Sequence, residues 1–348
     1  MRHFFLFLII LGPNAVADDK ATLRAVDHAP IGVMFDHYHK KGEWMISARQ
    51  SHMEMSSNIL NGNAISVADV LLMPNPLNSQ PATLSIVPEK MNMQMTMIGL
   101  MYAPTNKITL TAMINYISKD MNLITHQAMM SRDLVGKFST SANDVNDFTV
   151  SAIIKLKGDD TSRWSGEITL QKSFGQQNMK DNVLTPMGQT MKMVLPYAMQ
   201  PGDRASRFAF GITNVRKVTD SLIWGNQVRT KNVVAKDTWA LGNQYAVTTW
   251  LQYEINRQLS VSARLQLNHE IKISGKNPSV ISPVQTANTE NYGGKELHLG
   301  LGANLLAKLL HGENDRLGLE LIIPLQQNKN NLQMATDYKI IFGYQKAF

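Results

Sequence analysis

Three histidines near the start of the chain, His28, His37 and His39, are the residues whose types and spacing most plainly could do chemistry. His37 and His39 are two residues apart, so an extended backbone would put both imidazoles on one side. Asp36 adjoins them, and His52 follows not far behind. Imidazole suits copper or zinc, which makes the stretch a candidate metal site; the alternative is a solvated, histidine-rich leader. A second group is Met91, Met93, Met95, Met97 and Met101, which share one alternating face with Gly99. Thioether sulfur suits Cu(I), but Met is also a flexible apolar residue able to face lipid. The opposite face begins with Asn92, Gln94 and Thr96. If those polar groups look inward the methionines look outward, and the lipid-facing reading is favoured. No Gly-x-Ser-x-Gly elbow and no His-Glu-x-x-His occurs. An outer-membrane phospholipase would need a paired Ser and His, and His269 and His298 have no assignable partner. The chain therefore reads as non-enzymatic, with no catalytic residue and no resident cofactor other than the copper these groups could take.

The elements that must hold these residues are strands. Leu259, Val261, Ala263, Leu265 and Leu267 alternate with Ser260, Ser262, Arg264, Gln266 and Asn268, the cleanest example in the chain. The same period of two runs through Ile108–Ser118, Phe148–Lys157 and Tyr338–Phe348, giving about twelve strands of roughly the 9–11 residues a tilted membrane crossing needs. Connections alternate between short and long, as in outer-membrane barrels, where short turns are periplasmic and long loops external. That rhythm puts both termini in the periplasm. The stretches Ser56–Lys90, with Pro74, Pro76, Pro81 and Pro88, and Lys119–Asp147, rich in Ser, Asn and Asp, read as long loops.

Apolar residues are not gathered into spans. The only continuous run, Phe4–Leu11, is too short for a transmembrane helix, follows Arg2 and His3, and leads to Ala15-Val16-Ala17. It reads as a signal peptide, residues 1–17, cleaved near Ala17. Residues 18–42 follow as a periplasmic leader segment and residues 43–348 as the barrel. There is no cysteine, and the net charge of +7 is scattered with no Lys/Arg block, which argues against a nucleic-acid partner. Trp44, Tyr102, Tyr116, Phe148, Trp164, Tyr245, Tyr253 and Phe348 fall near strand ends, where a membrane barrel needs its aromatic girdles.

The fold class expected is all-β: a transmembrane antiparallel up-and-down β-barrel in the outer membrane of a Gram-negative bacterium. Its partners are membrane lipid, a small-molecule solute, and the barrel-assembly machinery, engaged through the closing strand that ends on Phe348. The apolar faces look to lipid and the polar faces inward, lining the lumen with Arg49, Gln94, Lys155, Glu167, Arg207, Arg264, Gln266, His298, Glu320 and Lys339. Such groups are costly when buried alone, so the lumen holds either water or paired networks. The leading function is passive passage of small solutes. The alternatives are a metal-binding outer-membrane protein using the leader His and Met residues, or a closed structural barrel.

The segment from His28 to Met34, then Asp36 to Met45, and the segment Met91–Met95 with Met101-Tyr102-Ala103-Pro104 resemble the corresponding parts of a proteobacterial outer-membrane family related to the meta-pathway phenol-degradation transporters. The resemblance covers about the first third of the chain well. It implies a barrel that passes small, often hydrophobic or aromatic, compounds, and it lends no catalytic residues. Two positions depart from it: Phe35 stands where the family pattern expects Gly, and Lys346 stands at a usually apolar place in the closing strand.

Overall fold

In a computed structural model, residues 24–77, 80–128, 132–307 and 315–348 are described. The proposed signal peptide and its cleavage site lie outside the described residues. Twelve long strands follow one another around a closed sheet: β1 Trp44–Leu60, β2 Ile86–Thr105, β3 Ile108–His126, β4 Leu134–Gly158, β5 Ser162–Ser173, β6 Ser206–Lys217, β7 Leu222–Ala235, β8 Gln244–Asn256, β9 Leu259–Glu270, β10 Gly294–Ala307, β11 Asp315–Lys329 and β12 Leu332–Ala347. Each pairs antiparallel with its sequence neighbours, and β12 closes on β1 in a register from Met45 opposite Ala347 to Leu60 opposite Leu332. Closure leaves no open edge for lipid to face. A short strand, Asn63–Ile65, extends the sheet beside β1.

The wall shows which solvent surrounds it. Ile98 is 55% exposed, Leu110 47%, Leu251 50% and Phe342 49%, and these residues form a band around the outside. A contiguous apolar band of that kind is untenable in water and belongs in hydrocarbon. Aromatic rings mark its margins. Trp44 and Tyr102 stack with centroids 4.3 Å apart at the short-turn end, with Trp164, Trp224 and Tyr253 near them along the rim; Tyr116, Phe148, Phe210 and Tyr245 stand toward the other margin. Lys346, the departure in the closing strand, lies 3.6 Å from Asp315 and over the Phe348 ring, so its charge is met at the rim.

At one end the connections are short, residues 106–107, 159–161, 218–221 and 257–258, while the two-residue turn 330–331 stands at the other. The longer ones, residues 61–85, 174–205 and 271–293, are at the other. One stretch expected as a loop is largely strand, and another is strand at both ends. β3 runs on to His126 and β4 begins at Leu134, so most of residues 119–147 forms a tall hairpin beyond the apolar band. Its outward pairs are polar, Asp120 opposite Ser141 and Ser118 opposite Asn143, because water wets that height. Residues 56–90 hold the ends of two strands, and α1 (Val67–Leu72), capped by Ser66, lies between them. Pro88 is tolerated inside β2 because it sits at a bulge, where the register with β3 slips between Pro88 and Lys90.

Candidate functional site

The lumen is filled differently at its two ends. At the short-turn end it is crossed by residues 24–43, which the sequence reading placed ahead of the barrel as a leader. They are inside it. The Ala25 carbonyl accepts from Gln252 and Ser260, the Asp27 carbonyl from Arg163, the His28 carbonyl from Asn304 at 3.0 Å, the Ala29 carbonyl from Arg316, and the Met34 carbonyl from Gln227 at 2.8 Å. The His39 amide donates to Thr109. These partners come from β3, β5, β7, β8, β9, β10 and β11, so the segment reaches across the whole bore. Its apolar side chains are buried with it: Val26, Ile31, Val33 and Phe35 are each 3% exposed or less.

Why this segment folds inward is visible in the wall. Ile31 sits against Gly318 and Gly343; a Cβ there would stand 2.8 and 2.6 Å from it, a clash with the plug in both cases. A Cβ on Gly32 would land in the Glu320 carboxylate, whose Oε2 instead accepts the Gly32 amide at 2.7 Å. Glu320 is fully buried and also takes Arg264 Nε at 2.7 Å. Removing either partner of such a pair leaves a charge without compensation, so the latch holds as a unit. Phe35, at the position where the resemblance expects Gly, is accommodated by the plug. Its φ is 61°, a left-handed conformation natural to Gly, and its ring lies 5.2 Å from the Arg229 guanidinium, which Glu167 holds in turn at 2.8 Å.

Beyond the plug, toward the long-loop end, lies a cavity of about 470 Å³. Gly32 and Met34 of the plug, Met53 and Met55, and the polar groups of Gln266, Asn268 and Glu270 line it. Over it the loops fold in as an apolar cap built on Leu195, Tyr197, Met199, Trp239, Ile273 and Val284, against Met91 and Met121 of the wall. Tyr197 and Trp239 meet edge to face at 4.8 Å. Lys119 ties the cap down through the Ala198 and Gln200 carbonyls at 2.8 and 2.7 Å. Asp203 does so through Arg207 and the Leu241 amide.

Of the residues expected inside, Arg49, Lys155, Glu167, Arg207, Arg264, Gln266, His298, Glu320 and Lys339 occupy inward positions. Arg49 approaches Gly343, Lys155 lies over the Tyr38 ring at 5.3 Å, and Gln266 joins Arg264 to Asn268. Gln94 is the correction. It points outward, opposite His52, while Met91 and Met101 on the other face are 4% and 8% exposed. The methionine face is therefore the lumen face, the reverse of the lipid-facing expectation. Asn92, Gln94 and Thr96 look out into water because β2 has passed the apolar band at that height. Arg229 and Arg316 went unnamed in the sequence reading. Arg316 was within reach, two and four residues before Gly318 and Glu320 on the same face; Arg229 is on β7, the least regular alternation.

The histidines do come together. His28 and His37 rings lie 4.9 Å apart and those of His37 and His39 5.1 Å, and His28, Asp36 and His37 offer ligand atoms within 4.8 Å of one another. His52 is elsewhere, beside Tyr338 on the outer face. Asp36 Oδ1 is 2.8 Å from His37 Nδ1, and its Oδ2 accepts the Ala29 amide. Burial alone raises the Asp36 carboxyl, but His37 and Arg316 hold it well below the usual range. Burial pushes the His37 imidazole down despite Asp36 and pushes His28 down further, with Arg316 adding to it. Of the other two histidines considered, His298 Nδ1 lies 3.2 Å from Asn268, and among the described residues no serine hydroxyl bonds either His269 or His298.

No protein-family model matches the chain, and no curated protein matches it in sequence. Solved structures do match it in shape. An outer membrane channel from Pseudomonas putida F1 superposes with a TM-score of 0.57 at 13% identity, over 90% of this chain and 98% of that one. This is an outer-membrane barrel fold. The β domain of the Bordetella autotransporter BrkA follows at 0.45, with 11% identity over 88% and 100%. A mutant of TodX, a monoaromatic hydrocarbon channel, gives 0.44, with 8% identity over 89% and 91%.

Proposed function

We propose that the protein is an outer-membrane channel that passes small solutes down their gradient, gated by its own residues 24–43. The observation that carries this is a wall apolar outside and polar inside, around a cavity closed by a latched segment rather than packed solid. Side chains fill barrels of eight strands and sixteen or more leave an open channel, so twelve leave room for a chamber plus a plug. Met53, Met55 and Tyr292 beside Gln266 and Asn268 suit a solute with an apolar body and a polar edge. That agrees with the resemblance to the phenol-degradation transporters and with the shape shared with the Pseudomonas channel. Short turns and both termini then face the periplasm, after removal of residues 1–17, and assembly proceeds through the strand that ends on Phe348. Planar-bilayer recording tests the reading. The mature chain gives small, infrequent conductance steps, and removal of residues 24–42 gives large steady ones. Because a deletion can fail to fold, Gly343→Val, which displaces Ile31, serves as the second variant. Equal conductance in all three, with each migrating as a folded barrel, would overturn the gate.

A further inference from the structure

Two features of the lumen go beyond what a conduit for organic solutes needs. The first is the setting of the imidazoles. Asp36 Oδ1 stands 2.8 Å from Nδ1 of His37 while its Oδ2 takes the Ala29 amide, so Nδ1 is the engaged ring nitrogen and Nε2 the one left for a ligand. Glu43 Oε2 stands 3.3 Å from Nδ1 of His39 in the same way. Nε2 of His37, Nε2 of His39 and Nδ1 of His28 are all buried, and none has a hydrogen-bond partner. A carboxylate on one ring nitrogen with the other left free is how proteins orient a metal-binding histidine. Metal–nitrogen bonds of about 2.0–2.1 Å are compatible with neighbouring rings about 5 Å apart.

The second feature is where the chain puts its methionines. On β2 the lipid face carries Ile98 and Leu100, while the lumen face carries Met91, Met93, Met95, Met97 and Met101. β1 answers across the sheet, with Met55 opposite Met91, Met53 opposite Met93 and Met45 opposite Met101. On β3, Met121 stands opposite Met91. Alternate residues on a strand are roughly 6.6–6.8 Å apart, and cross-strand neighbours roughly 4.5–5.5 Å. The thioethers thus form a track along one wall. It starts beneath the loop cap and ends where Met45, Met101 and Met113 pack against Phe35 and Tyr38, between and beside the histidines. Leu would fill that wall equally well if packing were the only demand.

We propose that this lumen carries a monovalent copper-class ion, taken up by the methionine track and received by the imidazoles of His28, His37 and His39. Thioether sulfur selects Cu(I), and imidazole accepts copper. The ion keeps its charge and oxidation state throughout, so no electron is exchanged. The imidazoles bind through the ring nitrogens that have no hydrogen-bond partner. Asp36 and Glu43 are positioning residues.

The test uses the purified full-length mature barrel in detergent, under reducing, oxygen-free conditions, with Cu(I), Ag(I) and Zn(II) as probes against a competing Cu(I) chelator. Cu(I) is retained, and His37→Ala/His39→Ala weakens it at least tenfold. Replacing Met53, Met93, Met95 and Met97 by Leu conserves volume. It lowers the number of Ag(I) ions bound while leaving the tightest Cu(I) site in place. Circular dichroism and heat-modifiable migration confirm that each variant is folded. Zn(II) binding as tightly as Cu(I) with no change in the Leu variant would overturn the track. Retention of Cu(I) unchanged in the His variant would overturn the imidazole site, and no binding of any probe would overturn both. Bilayer conductance of the parent and of Gly343→Val reads the gate with every histidine and methionine in place, so failure of the metal proposal and failure of the channel reading are told apart.

Discussion

The two ends of the lumen solve the same problem by opposite means. The short-turn end is closed by a strap of its own chain held through charge: Arg264 with Glu320, Arg229 with Glu167, and Arg316 on a plug carbonyl. The long-loop end is closed by apolar packing, with Tyr197, Trp239 and Ile273 over Met91 and Met121. Between them lies the cavity. A polar latch holds in one geometry or releases, because each buried charge depends on its partner. An apolar cap yields gradually, because its contacts are many and individually weak. In the proposed channel the short-turn end is therefore the switch and the long-loop end the filter.

The difference can be attacked from either side. The largest effect falls on the latch. Glu320→Gln strands Arg264 in the wall and weakens acceptance of the Gly32 amide, costing about 3–5 kcal/mol for the broken buried pair and the loosened plug together. Limited proteolysis would show residues 24–43 becoming cleavable while the barrel stays intact; a plug as resistant as the parent's would sink the latch. Next is the wall. Phe342→Arg, in the outer apolar band, destabilises by about 2–4 kcal/mol in lipid vesicles, measured by urea unfolding. Gln94→Arg on the same side of the sheet is neutral, because it stands above the band; equal penalties would mean the band is misplaced.

The cap gives a smaller, pH-dependent effect. Burial by itself raises the Asp203 carboxyl, but Arg207 and the Leu241 amide hold it below its usual value. A depressed carboxyl contributes stability that is present above the unfolded value of about 3.9 and is lost as pH falls through the lower folded value. Amide exchange at Leu241 should accelerate only in acid below that range, and Asp203→Asn should remove the dependence. The smallest effect belongs to the rim: Lys346→Ala costs about 1 kcal/mol, since the contact with the buried Asp315 is long at 3.6 Å and Lys346 itself reaches solvent.

The barrel was legible in the sequence because the bilayer imposes one rule along every strand, apolar out and polar in. Strand β9 shows it unbroken from Leu259 to Asn268. The rule stops at the edge of the hydrocarbon. Above it, water lies outside and the loop cap inside, so the pattern inverts at Asn92, Gln94 and Thr96, and the rule applied there turns the methionines to the wrong side. The tall β3–β4 hairpin read as loop for the same reason: Ser, Asn and Asp are ordinary on a strand face that meets water. The plug was hidden because it has no period. Its signals were the apolar Val26, Ile31, Val33 and Phe35 in a stretch taken as solvated, and glycines at 318 and 343 that make room for it. The convergence of His28 on His37 follows from that folding and has no local signature.

The most direct measurement is chemical access to Ile31. The chain contains no cysteine, so Ile31→Cys introduces a single reactive thiol. In the folded barrel a water-soluble maleimide should label it far more slowly than Asp220→Cys, whose side chain is 91% exposed in a short turn, and Glu320→Gln in the same chain should restore rapid labelling. Labelling of Ile31→Cys at the rate of the Asp220→Cys control, in a barrel shown to be folded, would mean that residues 24–43 hang outside, and the gated lumen would be refuted.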